Sequence, residues 1–445
     1  MRRFHYAYFI VASCIVITFV PCAMVLSCAG IFFTPVSSYF GVPTGTFSLY
    51  FSIVNLALTL VLPVSGTLLA RLGARALFSA CVAIDGVTLI AMSFFTEVWQ
   101  FYVAGVFLGV GVGPLVWLAV PTLVNAWCVK RVGFFVGLCM AFTGIGGVVF
   151  NPVGTALIGM GPEGWRLGYL VFGIVILVAA LPVTLLIIRS NPAEKGLAPY
   201  GAEAPAPAFA DAARQTAAEG ASAASAAGDS PAETGGGSPA PAAWGVPAKR
   251  AMRMPVFFAI AAFGFLINVN QMAYQFFPSY CQSFADTMPG IAALAGVVAS
   301  ACMGGQAIGK VILGALNDRS PRAGLVLGIA AGAAGIAAMW AFPGAAPLLL
   351  GGSFLFGLVY ACTTVETPLV TRTVFGSRDY ARIYAPISMA AAAGGIVATA
   401  VYGFVIDLPG GFAAMFTMNF VCMAACAVLG LAALRRGKKL REQEL

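Results

Sequence analysis

Charge is what this sequence has least of. Lys, Arg, Asp and Glu make up 9% of its 445 residues, against about 25% in soluble globular domains. So few charges cannot coat a water-facing surface, which excludes a soluble cytosolic enzyme. Histidine is nearly absent. The only one, His5, stands next to the N-terminus, a poor place for a catalytic base. There is no HExxH or GxSxG motif and no zinc-type CxxC pair, so neither an intramembrane hydrolase nor a metal site has its usual residues. The 11 cysteines are odd in number and fall mostly inside apolar runs. They read as small apolar side chains, not as a disulfide framework.

What is abundant is apolar surface. Hydrophobic residues make up 60% of the chain and the mean hydropathy is +0.93. An apolar helix of about 20 residues crosses the hydrocarbon core of a bilayer. Twelve segments qualify, over residues 8–32, 44–70, 76–95, 99–127, 133–160, 165–188, 254–281, 290–316, 323–342, 345–371, 380–406 and 411–434. The first is too long for a signal-peptide core and reads as a retained helix. The fold class is therefore an all-α membrane protein of twelve transmembrane helices in two six-helix bundles.

The net charge of +8 sits in the segments between these runs. That placement excludes a nucleic-acid partner and points to membrane lipid instead. Of the 24 Lys and Arg, 22 fall on one side of the predicted spans; Arg166 falls on the other and Lys310 lies within a span. Basic loops stay in the cytoplasm, so both termini are expected there, in a multi-pass protein of the plasma membrane. Residues 191–252 are rich in Ala, Gly, Pro and Ser and lack apolar periodicity. They read as a disordered cytoplasmic linker between an N-terminal bundle (1–190) and a C-terminal bundle with a basic tail (253–445).

A related loop follows the second span of each half. The first copy contains Gly66, Ala70, Arg71, Gly73 and Arg75; the second contains Gly314, Asp318, Arg319 and Arg322. Glycine lets two helices approach, and the bases hold a tight turn outside the lipid. The loop in this position resembles the signature of the major facilitator superfamily, with Ala70 standing where the first copy usually has an acid. Further pieces are Asn125-Ala126-Trp127 with Lys130-Arg131-Val132-Gly133, then Asn151-Pro152, Gly164-Trp165-Arg166, Asn191-Pro192 and Phe375-Gly376-Ser377-Arg378-Asp379-Tyr380. In order, they resemble the branch of monocarboxylate transporters and oxalate–formate antiporters. The resemblance implies alternating-access transport of a small organic anion, by proton symport or anion exchange, by a monomer without cofactor.

Charges inside spans are expensive and are functional candidates by default. Lys310 lies eight residues before Asp318, ~12 Å in from the turn, close to the bilayer midplane. A substrate carboxylate would complete its electrostatics, and Gln306, one turn earlier, would add a hydrogen bond; the other reading is a side chain that snorkels towards the cytoplasm or pairs with a structural acid. The resembling branch carries a base at this position, usually Arg, and often an acid one turn before it. The oxalate–formate type carries a second base in span eleven; here no Lys or Arg occurs between Arg382 and Arg435, which suits a monoanion. Asn268, Gln271 and Tyr274 belong to a run of polar residues in span seven that should face water or protein. Phe356 and Tyr360 form an i, i+4 pair in span ten; the resembling transporters place aromatics near here to shape the apolar end of the substrate, and core packing is the other reading. Asp85 and Glu366 are the coupling candidates, with a structural role as the other reading; for Glu366 that role would be an ion pair with a base of the neighbouring loop. Three alternatives are an exporter of amphipathic drugs or cations using Asp85 or Glu366, an intramembrane enzyme, and a transporter-like receptor with the linker as its partner-binding element.

Overall fold

The computed structural model describes residues 5–201, 245–376 and 378–444. Most of the expected linker, 202–244, lies outside the described residues. Membrane-length helices are Ala7–Phe40 (span 1), Thr44–Met92, Val98–Trp127 (span 4), Val132–Ile158 (span 5), Gly164–Leu186 (span 6), Pro255–Gln282 (span 7), Ala295–Asn317 (span 8), Pro321–Ala341 (span 9), Ala346–Phe375 (span 10), Arg382–Ile406 (span 11) and Gly411–Leu440 (span 12). The 49-residue Thr44–Met92 is two crossings. Gly73 breaks it at φ 78° and ψ 162°, a conformation that glycine adopts without steric cost. Span 2 is therefore 44–72 and span 3 is 74–92. The loop expected between them is that single residue, with the freed amide of Ala74 donating to Ser190 Oγ at 3.0 Å. The second signature loop is more conventional. Ser320 caps span 9 by accepting from the Ala323 amide, and Pro321 opens the helix, where its missing N–H is harmless.

Glycines set the packing distances. In span 4, Gly105 and Gly109 lie against the backbone of span 2 at Tyr50 and Val54, the close approach that four-residue spacing permits. Three helices of the first half contain wider π-helical stretches: Thr18–Ser27 in span 1, Leu115–Ala119 in span 4 and Ile176–Ala180 in span 6. Each has a proline within it or just after it (Pro21, Pro121 and Pro182). Proline cannot donate to the carbonyl four residues back, so the ladder loses a bond and the turn widens. Pro152 and Pro368 leave their α-helices continuous.

Both ends of the expected linker, 191–201 and 245–252, are structured. Asn191 and Glu194 form a capping box around Pro192–Lys195. Tyr200 then pairs with the loop after span 4: its amide donates to Trp127 O at 2.8 Å and its carbonyl accepts from Val129 at 2.9 Å. At the other end, Val246 N donates to Phe375 O at 2.9 Å, and Ala248 N donates to Asp379 at 2.8 Å. Backbone pairing onto equivalent loops of the two halves fixes 191–201 and 245–252, a tertiary effect with no apolar signal in the sequence.

Candidate functional site

Among the described residues the two halves meet chiefly along three helix pairs, on the face opposite the termini. Span 1 meets span 7, where Tyr274 Oη and Gln275 Nε2 both donate to Leu26 O, at 3.0 and 2.8 Å. Span 2 meets span 11, where a Cβ on Gly45 would lie 2.6 Å from the carbonyl carbon of Gly403. There Asp407 accepts from the amides of Thr44 and Gly45 at 3.1 and 2.6 Å. An acid from one half thus caps a helix of the other.

The third pair, spans 5 and 8, runs deepest. Gly296 packs on Asn151 and Thr155. Ser300 Oγ donates to Val148 O at 2.9 Å. A turn later Met303 fills the space over Gly147, and Gln306 Oε1 lies over Gly144, where a Cβ would be 2.8 Å from it. Beyond that point the contact ends. Gly137 and Gly133 of span 5 and Gly314 of span 8 meet nothing within 4 Å. The halves therefore diverge towards the face that carries the termini and signature loops, leaving a crevice between spans 5 and 8.

Lys310 sits at the head of this crevice. It is one turn past Gln306, on the same stripe of span 8 that faces span 5. It is half-buried and has neither a hydrogen bond nor an ion pair among the described residues. Gln306 is buried, and its Oε1 has no partner. Tyr274 stacks on Tyr360 with ring centroids 4.9 Å apart and planes at 28°. Gln271 lies alongside Tyr360 and is 9% exposed.

The remaining candidates lie elsewhere. Asn268 donates to its own helix at Gly264 O, 3.0 Å away. Asn270 turns from the crevice towards Cys426 of span 12. Ala273–Phe276 is a 3-10 turn, and within it the consecutive Tyr274 and Gln275 both reach Leu26 O. Phe356 is fully buried, edge-on to Phe277 at 4.9 Å, in the interior of the second half. Glu366 corrects an expectation: among the described residues it makes no ion pair with a loop base. It is fully buried, and its Oε1 accepts from Asn317 Nδ2 at 2.7 Å. The pairing of two side chains 49 positions apart on spans 8 and 10 left no mark in the sequence. Asp85 is buried inside the first half, away from the crevice. Of the signature residues, Arg71, Arg75, Asp318, Arg319 and Arg322 are exposed, and Gly66 and Gly73 are half-buried.

No curated protein sequence matches the chain. Among solved structures, the nucleoside transporter NupG is similar over 96% of this chain and 98% of its own, with a TM-score of 0.68 and 13% identity. Its D323A mutant gives a TM-score of 0.69 at 14% identity. A bacterial homologue of the human lysosomal transporter Spinster, captured inward-facing and unoccupied, is similar over 98% of this chain and 97% of its own, with a TM-score of 0.64 and 13% identity. At such identities the likeness is one of fold. The sequence profile of the Major Facilitator Superfamily matches residues 15–297 and 290–444. Two helical halves, packed on one face and parted on the other around an unpaired base, thus have their sequence counterpart: this chain belongs to the Major Facilitator Superfamily and is a membrane transporter, not an enzyme.

Proposed function

We propose that the chain carries a small organic anion, a monocarboxylate, across the plasma membrane by alternating access, working as a monomer with both termini in the cytoplasm. The observation that carries this reading is Lys310, a base without an anion at the head of the crevice between spans 5 and 8. A carboxylate entering from the open side neutralises the ammonium, which lowers the cost of enclosing it when the halves close. Gln306 offers an amide one turn deeper. The Tyr274–Tyr360 stack and Gln271 bound the region next to it. One cation matches one carboxylate, because a second acid group would be buried unpaired.

Reorientation then requires the three contact lines on the far face to part while the halves rock as bodies. Coupling is by proton symport or by exchange of one anion for another. Counterflow in proteoliposomes against a panel of short carboxylates tests the proposal. Wild-type protein should exchange monocarboxylates and Lys310→Gln should not. Undiminished carboxylate exchange by Lys310→Gln overturns the anion site.

A further inference from the structure

The three widened helical stretches of the first half lie around the part of span 3 that carries one buried carboxyl group. Asp85 lies midway along span 3 and is fully buried. Neither of its oxygens has a hydrogen-bond partner. Oδ1 rests against Gly111 of span 4, where any side chain would collide with it, and the carbonyl of Cys81 lies beside the same point. Gly111 is one turn ahead of the Leu115–Ala119 stretch. Gly86, the next residue of span 3, meets Leu177 of span 6, inside Ile176–Ala180. Cys22, inside Thr18–Ser27 of span 1, faces the carboxyl from a third side.

The titratable groups that face Asp85 are the thiols of Cys22 and Cys81. Span 4 presents Gly111 there, and span 6 packs Leu177 on the neighbouring Gly86. Among the described residues no Lys, Arg or second acid faces it. An ionised carboxylate in this setting would have neither a donor nor a cation, and such a group is very costly to bury. A neutral carboxylic acid needs only one acceptor, and the Cys81 carbonyl is at hand. Packing alone does not call for an acid. The matching turn of span 9 carries Gly332 and Ala333, and there Gly332 lies against Val359 and Met423.

We propose that Asp85 is a proton-binding site: its carboxyl carries a proton in this packing and releases it when the surrounding helices repack at their widened stretches, which links substrate movement to a proton. The step is an acid dissociation, –COOH to –COO⁻ and H⁺, with no other reactant. The π-helical stretches give spans 1, 4 and 6 a place to change register around the group. The proposal rests on the transport reading above and extends it to the coupling ion; it does not depend on which anion is carried.

Infrared difference spectroscopy of the full chain in lipid nanodiscs tests this without a substrate, because among the described residues Asp85 is the only aspartate inside a span. At neutral pH a protonated-carboxyl band should shift when 13C-aspartate is incorporated, and it should be missing from Asp85→Asn. A spectrum without a label-sensitive band overturns the proposal, as does a band that persists in Asp85→Asn. If that variant does not fold, the label shift in the wild-type protein alone decides. The link to repacking is read from maleimide labelling of Cys22, mapped by mass spectrometry. Thiolates react faster as pH rises in any protein, so the two proteins are compared at the same alkaline pH: Cys22 should label several-fold faster in the wild type than in Asp85→Asn, and a ratio of one at every pH overturns the link. Failure of the carboxylate reading shows separately, as absent counterflow alongside an intact infrared band.

Discussion

The two six-helix halves share a scaffold but treat their charges differently. In the first half the one acid inside a span, Asp85, has no partner, and three of the helices around it are widened. In the second half the buried acid, Glu366, accepts from Asn317, and the unanswered charge is a base, Lys310, at the crevice. The signature loops differ in the same sense: Asp318 ends span 8, whereas Ala70 leaves the first loop without an acid and Gly73 makes the turn. A duplicated helix pattern fixes where the spans run. It does not fix which half holds a substrate charge and which holds a free acid.

Several substitutions would break or sharpen this contrast. The largest effect is expected at Lys310. Removing one partner of a buried pair costs about 3–5 kcal/mol, so Lys310→Gln should slow monocarboxylate counterflow by about 100-fold or more. Lys310→Arg keeps the charge and should retain most of the rate. Next comes the contact between the halves at Gly45. Its added Cβ would meet the backbone of Gly403, which cannot yield, so Gly45→Val should part the halves on the face opposite the termini. Ser48 is fully buried there. In a Ser48→Cys background, an impermeant maleimide added from that face should react about ten-fold faster once Gly45→Val is present.

Smaller effects distinguish packing in the two halves. Gly111→Ala would drive a methyl into Asp85 and should cost about 1–3 kcal/mol of stability. Gly314 meets nothing within 4 Å, so Gly314→Ala should stay within about 0.5 kcal/mol; thermal denaturation in detergent compares the two. Asp407→Ala removes the cap that joins spans 11 and 2. It should cost the closed face about 1 kcal/mol, seen as a modest rise in Ser48→Cys labelling. The smallest change is expected for Glu366→Gln, whose amide oxygen still accepts from Asn317. Counterflow should stay within about two-fold of wild type. A loss as large as that of Lys310→Gln would move the essential charge to Glu366 and reverse the contrast drawn here.

Much of the fold was legible because bilayer thickness imposes a length on every apolar run. The span boundaries read from the sequence agree with the helices to within a few residues at most ends. The exceptions are instructive. Span 1 continues past residue 32 to Phe40, because Phe33 and Val36 are buried in the core and Gly41 supplies the left-handed stop at φ 64°. The depth of Lys310 could be counted from Asp318. That it has no protein anion could not, because the absence depends on every helix packed around it. The same holds for Glu366, whose partner is a neutral amide on another helix. The widened turns had a weak signal in Pro21, Pro121 and Pro182, but Pro152 and Pro368 carry the same signal and leave their helices intact.

The sequence by itself determined that the chain crosses a membrane many times and that its halves repeat. It also placed a base and two acids within the hydrocarbon region. These follow from local properties: hydrophobic run length, the position of charges along a run, and the spacing of glycines. Only the tertiary structure decided that the halves touch down to Gln306 and part below it, that Lys310 lies at that parting, and that Asp85 is enclosed with nothing to answer its oxygens. Each of these is a relation between helices far apart in the chain, and it is set by which side chains happen to fill, or fail to fill, the space between them.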